Sequence, residues 1–191
     1  MTRKVGSLLQ KRGGTVFLTL SRWISEKFFV RLDRMMIFWV RCWKRIADLI
    51  HGLDTSFLVA IEIVRHPSHQ AAKAKRRELL AEWDEFAITP LVLTEFMHIV
   101  TDQRRFPLPL TMDEAWDIAQ EWWTAKDVMR VTTDEMAMAK FFTWHREHRL
   151  GRKRLQDTLL AATYRSAGIH SILTLNAVDF AVLGGFQCIV P

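Results

Sequence analysis

The sequence predicts an α/β fold in three layers: a central, mostly parallel sheet with helices on both faces, preceded by a basic amphipathic helical extension. Three observations carry this. From Leu49 onward, short apolar runs of strand length alternate with longer stretches of helical periodicity, as parallel strands joined by crossover helices require. Acidic residues stand at or just beyond the ends of those runs, where open α/β sheets bind their ligands. Charge is also unevenly placed. Residues 1–50 hold eleven Lys/Arg against three Asp/Glu, a balance of +8 that leaves −2 for residues 51–191 out of the total of +6. The basic character therefore belongs to the first segment and is not a nucleic-acid footprint of the rest.

At 191 residues and 49% hydrophobic content the chain can bury a sizeable core, and intrinsic disorder is excluded as its general state. Cys42 and Cys188 lie far apart and make no metal-ligand or redox spacing, which favours a reducing compartment.

Residues 1–48 form the expected extension. A Gly-containing basic tail leads to apolar positions Phe28, Leu32, Met35, Trp39, Trp43 and Ile46 at steps of three or four, with Arg31, Arg34, Arg41, Lys44 and Arg45 between them. The longest apolar run, Met35 to Val40, is far short of the roughly 20 residues that span a bilayer. A signal peptide's apolar core and small-residue cleavage site are also missing from it. A peripheral extension, or an over-long start of the reading frame, is the expected reading. Docking on an anionic membrane surface or on a partner is the alternative.

The domain expected at residues 49–191 opens with a short buried strand, about Leu49 to Leu53, that ends in Asp54 and turns into a helix from Phe57 to Arg65. His66-Pro67-Ser68 breaks that helix, and Ser68 is expected to cap the next, which runs to Trp83. Phe86 to Thr89 reads as strand and Leu91 to Val100 as an apolar helix interrupted by Glu95. Pro107 and Pro109 then make a rigid connector. Thr111 and Glu114 form a capping-box signature for a helix to Thr124. Val128 to Thr132 is a strand, Thr133 to His148 a helix and Gly151 to Arg154 a basic loop. Asp157 opens a helix from Thr158 to Ser166. Ser171 to Leu175 and Phe186 to Val190 are the last strands, flanking a loop with one helical turn.

Taken singly, Asp157 reads as a helix cap, Glu95 as an exposed helix position and Asp179 as ordinary loop chemistry. Together with Asp54, carboxylates converging at strand ends suit a hard divalent cation such as Mg²⁺ or Mn²⁺. Such an ion also removes the repulsion of crowded like charges.

The segments Leu53 to Ser56, Thr89 to Phe96, Gln156 to Ala162 and Leu173 to Phe180 occur in the order and spacing of PIN domains. Over Leu49 to Pro191 the chain resembles in particular the VapC-type toxins of bacterial toxin–antitoxin pairs. The Arg105 to Pro109 connector and the closing Gly184 to Pro191 also look like that group. The resemblance implies a PIN-like fold and a cytoplasmic, Mg²⁺- or Mn²⁺-dependent endoribonuclease, the toxin of a type II pair. It also implies an RNA substrate, a cognate VapB-like antitoxin and a homodimer; a membrane partner is not the expected one.

By the same resemblance, Asp54, Glu95 and Asp157 are metal-binding or catalytic. The fourth acid falls at Asp179, with Asn176 as alternative or polar helper. Thr55, Ser56 and Thr174 are expected to orient carboxylates or water. Arg104, Arg105, Arg149, Arg152, Lys153 and Arg154 are candidates for RNA phosphates, or else form a solvated charged loop. Two other functions remain open at this point: a non-catalytic PIN-like protein that binds RNA or a partner, and a membrane-surface protein that uses its N-terminal helix.

Overall fold

The structure is a computed structural model that describes residues 49–191, so the extension expected over residues 1–48 lies outside the described residues. Five strands form one sheet: β1 (Ile50–Leu53), β2 (Glu85–Ile88), β3 (Val128–Arg130), β4 (Ser171–Leu173) and β5 (Gln187–Ile189). They are ordered β3-β2-β1-β4-β5, and every pairing is parallel. The chain thus builds outward from β1 to β3 on one side, then returns across the sheet to place β4 and β5 on the other. Right-handed crossovers put the connections of the two halves on opposite faces. The strand order reverses between β1 and β4, and the crevice beyond the C-terminal ends of those strands is where such sheets bind ligands.

The helices are α1 (Thr55–Glu62), α2 (His69–Ala81), α3 (Pro90–Val100), α4 (Met112–Thr124), α5 (Glu135–Glu147), α6 (Leu155–Ser166) and α7 (Ala177–Ala181). Among the described residues, none of them is long and apolar enough to cross a membrane. The first four helices pack among themselves, and α5 packs along α6. Phe57, Phe86, Phe96, Tyr164 and Phe180 are almost wholly buried between sheet and helices. At roughly 25 cal/mol per Å² of apolar surface removed from water, such side chains supply most of the drive to fold. The capping box is present: Thr111 Oγ1 accepts the Glu114 N–H at 3.2 Å, while Glu114 accepts the Thr111 N–H at 2.8 Å.

Several boundaries differ from the sequence expectation, each for a local reason. Helix α1 begins at Thr55 directly after Asp54, whose carbonyl accepts the Phe57 and Leu58 N–H groups. It ends at Glu62 instead of Arg65. Ser68 is not a side-chain cap for α2, and its own N–H donates to His66 Nδ1 at 3.1 Å. Asp134 caps α5, accepting the Ala137 N–H at 2.7 Å, while Thr133 bonds to Thr163 instead. The basic segment is a 3₁₀ turn, Arg152–Arg154, that runs straight into α6. Asp157 consequently lies inside the first turn of α6 and does not precede it.

One packing device fixes the site's geometry. A Cβ on Gly52 would stand 2.6 Å from the Tyr164 ring, so glycine lets α6 press directly against β1. The Tyr164 hydroxyl donates to the carbonyls of Leu53 (2.7 Å) and Ala87 (3.0 Å). Asp157 lies two helical turns before Tyr164 on the same face of α6, so this anchor sets where its carboxylate stands.

Candidate active site

Asp54 follows the last residue of β1, at the switch point, and is 7% exposed. Its Oδ2 accepts from Ser56 Oγ at 2.5 Å and from Thr174 Oγ1, just beyond β4, at 2.7 Å. Both hydroxyls are held in turn by the next loop. Ser56 Oγ accepts the Leu175 N–H, and Thr174 Oγ1 accepts the Asn176 N–H, each at 2.9 Å. Two backbone amides therefore aim two O–H groups at one carboxylate oxygen. Burial nevertheless wins over these bonds and raises the Asp54 pKa above its ordinary value.

Glu95, one turn and a half into α3, accepts from Thr55 Oγ1 at 2.8 Å. Asp157 is pushed up to about 6, first by burial and then by the charges of Asp179 and Asp54, with a smaller contribution from Glu95. Arg154 opposes this, its guanidinium lying 3.6 Å from the Asp157 carboxylate. The same guanidinium pairs with Asp179 through Nη1 and donates to the Val178 carbonyl through Nη2 at 3.3 Å.

All four acids line one cleft of about 350 Å³, together with Thr55, Ser56, His66, Arg105, Phe106 and Asn176. Thr174 is fully buried and reaches the cleft only through its bond to Asp54. A slightly larger cleft of about 390 Å³ between α3 and α4 is walled by Leu93, Met97, Trp116 and Trp123 and holds no titratable group. Carboxylate chemistry therefore belongs to the first cleft.

The expected RNA contacts divide. Arg105 lines the acidic cleft, and Arg154 reaches into the acids themselves, serving a carboxylate instead of standing free for a phosphate. Arg104, Arg149, Arg152 and Lys153 are exposed outside the lining. Sequence reasoning missed His66 and Phe106 as wall residues. In the sequence His66 shows only as part of a helix break. It also missed Tyr164 and Gly52, whose pairing spans more than a hundred residues of sequence and leaves no local signal.

An all-oxygen set of carboxylates and hydroxyls is the donor chemistry of Mg²⁺ or Mn²⁺. The repulsion from Asp179, Asp54 and Glu95 that helps raise the Asp157 pKa is what a divalent cation would relieve. Among the described residues, no three His, Cys, Asp or Glu side chains form a closed ligand cluster. The acids share a cleft, with Arg154 as the cation between two of them.

Residues 53–184 match the family model of the PIN domain. A comparison with curated proteins finds none that matches. Among solved structures, the chain is similar to Mycobacterium tuberculosis VapC20, a toxin that cleaves the sarcin–ricin loop. The TM-score is 0.57 at 21% identity, over 74% of this chain and 99% of that one. It is also similar to Rickettsia felis VapBC2 bound to a promoter DNA fragment, with a TM-score of 0.54 at 15% identity over 74% and 98% of the two chains. VapBC-1 of nontypeable Haemophilus influenzae gives 0.53 at 15% identity over 74% and 97%. At these identities the structural likeness establishes the fold. The family match spans well over half of the sequence and includes all four acids of the cleft, and on that ground the chain belongs to the PIN domain family.

Proposed function

We propose that this chain is a metal-dependent endoribonuclease, the toxin of a type II toxin–antitoxin pair, hydrolysing RNA phosphodiester bonds. The observation that carries this reading is the convergence of Asp54, Glu95, Asp157 and Asp179 on one cleft at the switch point of a PIN-domain sheet. Asp54, Glu95, Asp157 and Asp179 would hold Mg²⁺ or Mn²⁺, with Asn176 as alternative or helper at the fourth place. The ion would activate water and neutralise charge on the phosphate as an in-line displacement proceeds.

The chain's own residues do the rest. Ser56 and Thr174 fix one oxygen of Asp54, so that its carboxylate presents a defined orientation. Thr55 does the same for Glu95. Arg105 stands where an RNA phosphate would meet the cleft wall.

Several of the similar structures are toxin–antitoxin complexes, which supports a VapB-like antitoxin as partner here.

The test is cleavage of RNA by the full chain with Mg²⁺ or Mn²⁺, against the same chain with EDTA and against Asp54→Asn. Cleavage that needs the metal and vanishes in the variant is expected. Equal cleavage by the variant would sink the assignment. A second reading, a non-catalytic PIN protein that binds RNA or a partner, is favoured by one observation: Arg154 already holds Asp179. RNA binding without metal-dependent cleavage would select it. A membrane role rests on residues 1–48 alone and gains no support from the described domain.

A further inference from the structure

The acidic cleft contains a single imidazole, His66, on the turn between α1 and α2. Its N–H donates to the Ile63 carbonyl at 2.8 Å, and its carbonyl accepts the His69 N–H at 2.9 Å, so the backbone there is held on both sides. Its Nδ1 accepts the Ser68 N–H at 3.1 Å. A backbone N–H can only donate, so Nδ1 carries the lone pair and, in the neutral ring, the proton resides on Nε2. Burial, with the neighbouring His69, holds the His66 pKa below its ordinary value and favours that neutral ring. Among the described residues, no protein group bonds to Nε2. His69 differs: it is buried, with Nδ1 bonded to the Ala60 carbonyl at 3.0 Å, and serves the fold.

We propose that neutral His66 is a substrate-contacting residue, donating a hydrogen bond from Nε2 to a phosphate oxygen of the bound RNA strand. This rests on the endoribonuclease reading above. The argument is one of donor supply. The cleft's carboxylates accept, its hydroxyls Thr55 and Ser56 are already spent on Glu95 and Asp54, and among the described residues the Asn176 amide is the one other neutral side-chain donor on its lining. Arg154 is drawn to Asp179, as any cation beside four acids tends to be. A polyanionic strand entering such a cleft needs donors that the acids do not capture. A neutral imidazole meets that need, because its N–H has no net charge for the carboxylates to attract. With Arg105 on the same cleft lining, it gives the RNA a second point of attachment.

Three substitutions in the full chain separate this from a role in the turn. His66→Gln keeps an amide donor near the Nε2 position and loses the acceptor for Ser68. His66→Asn keeps the acceptor and loses the distal donor, and His66→Phe loses both. Affinity for a short fluorescein-labelled RNA is read by anisotropy in the Asp54→Asn background, and kcat and KM are read with Asp54 intact. The Asn and Phe variants are expected to bind about fivefold more weakly, the scale of one neutral hydrogen bond. KM should rise while kcat changes little, and Gln should stay near the parent value. Weak binding by Gln with normal binding by Asn would overturn the proposal in favour of the turn. Parental binding by all three would overturn it outright. If the unsubstituted chain shows no Mg²⁺- or Mn²⁺-dependent cleavage, the endoribonuclease reading fails, and this inference fails with it. Cleavage that is indifferent to His66 removes this inference alone.

Discussion

Replacing Asp157 with Asn should stabilise the metal-free domain at neutral pH while weakening its response to metal. The Asp157 carboxyl is raised from 3.8 to about 6 by burial and by Asp179 and Asp54, so the folded chain resists ionising it. A raised carboxyl contributes its stabilisation when protonated. That contribution is lost as pH rises from about 4 through 6, so at pH 7 the native state bears the full repulsion. Two units at about 1.4 kcal/mol each set an upper bound of roughly 3 kcal/mol. The side chain remains 30% exposed, and solvent screening reduces the expected gain to about 1–2 kcal/mol. For a domain of this size that corresponds to a rise in Tm of about 3–6 °C. Thermal unfolding in EDTA at pH 7 and again below pH 4 checks it, because the difference should shrink towards zero in acid. Added Mg²⁺ or Mn²⁺ should raise the Tm of the parent chain far more than that of the variant. A variant that unfolds at a lower temperature than the parent at pH 7, or gains equally from metal, would refute the repulsion argument.

Gly52→Ala should cost about 1–3 kcal/mol, because its Cβ would lie 2.6 Å from the Tyr164 ring and must push α6 off the sheet. Urea denaturation reads the loss, and metal affinity should fall with it, since Asp157 rides on the same helix. Thr174→Val removes a fully buried hydroxyl that serves both Asp54 and the Asn176 N–H, at an expected cost of about 1–3 kcal/mol. The same change strips Asp54 of one bond that lowers its pKa, so the acid limb of the cleavage pH profile should move to higher pH. An unmoved limb would mean that Thr174 does not tune Asp54.

Much of this domain was legible before any coordinates. The alternation of apolar runs and helical periodicity marks five strands and their helices, most clearly where the central strands β1, β2 and β4 are buried on both faces and read as short apolar blocks. The capping box of α4 was legible because all its partners lie within four residues. The start of α6 lies three residues earlier than the position of Asp157 suggests, for the converse reason. The acidity of Asp157 fits a cap, and only the 3₁₀ turn at Arg152–Arg154 shows that the helix has already begun.

The sequence by itself determined the class of fold and the chemistry that oxygen donors favour, since these depend on periodicity and residue type, while the resemblance to PIN domains singled out Asp54, Glu95, Asp157 and Asp179, with Asn176 as alternative at the fourth place. Tertiary structure decided the strand order, and with it the meeting of Asp54 and Thr174 across the β1–β4 reversal. It also decided that Arg154 answers Asp179 and that His66 lines the same cleft as the acids. A side chain's charge is local, but its partner is chosen by packing between segments remote in sequence, and hydrogen bonds and repulsion act only over the few ångströms that packing creates.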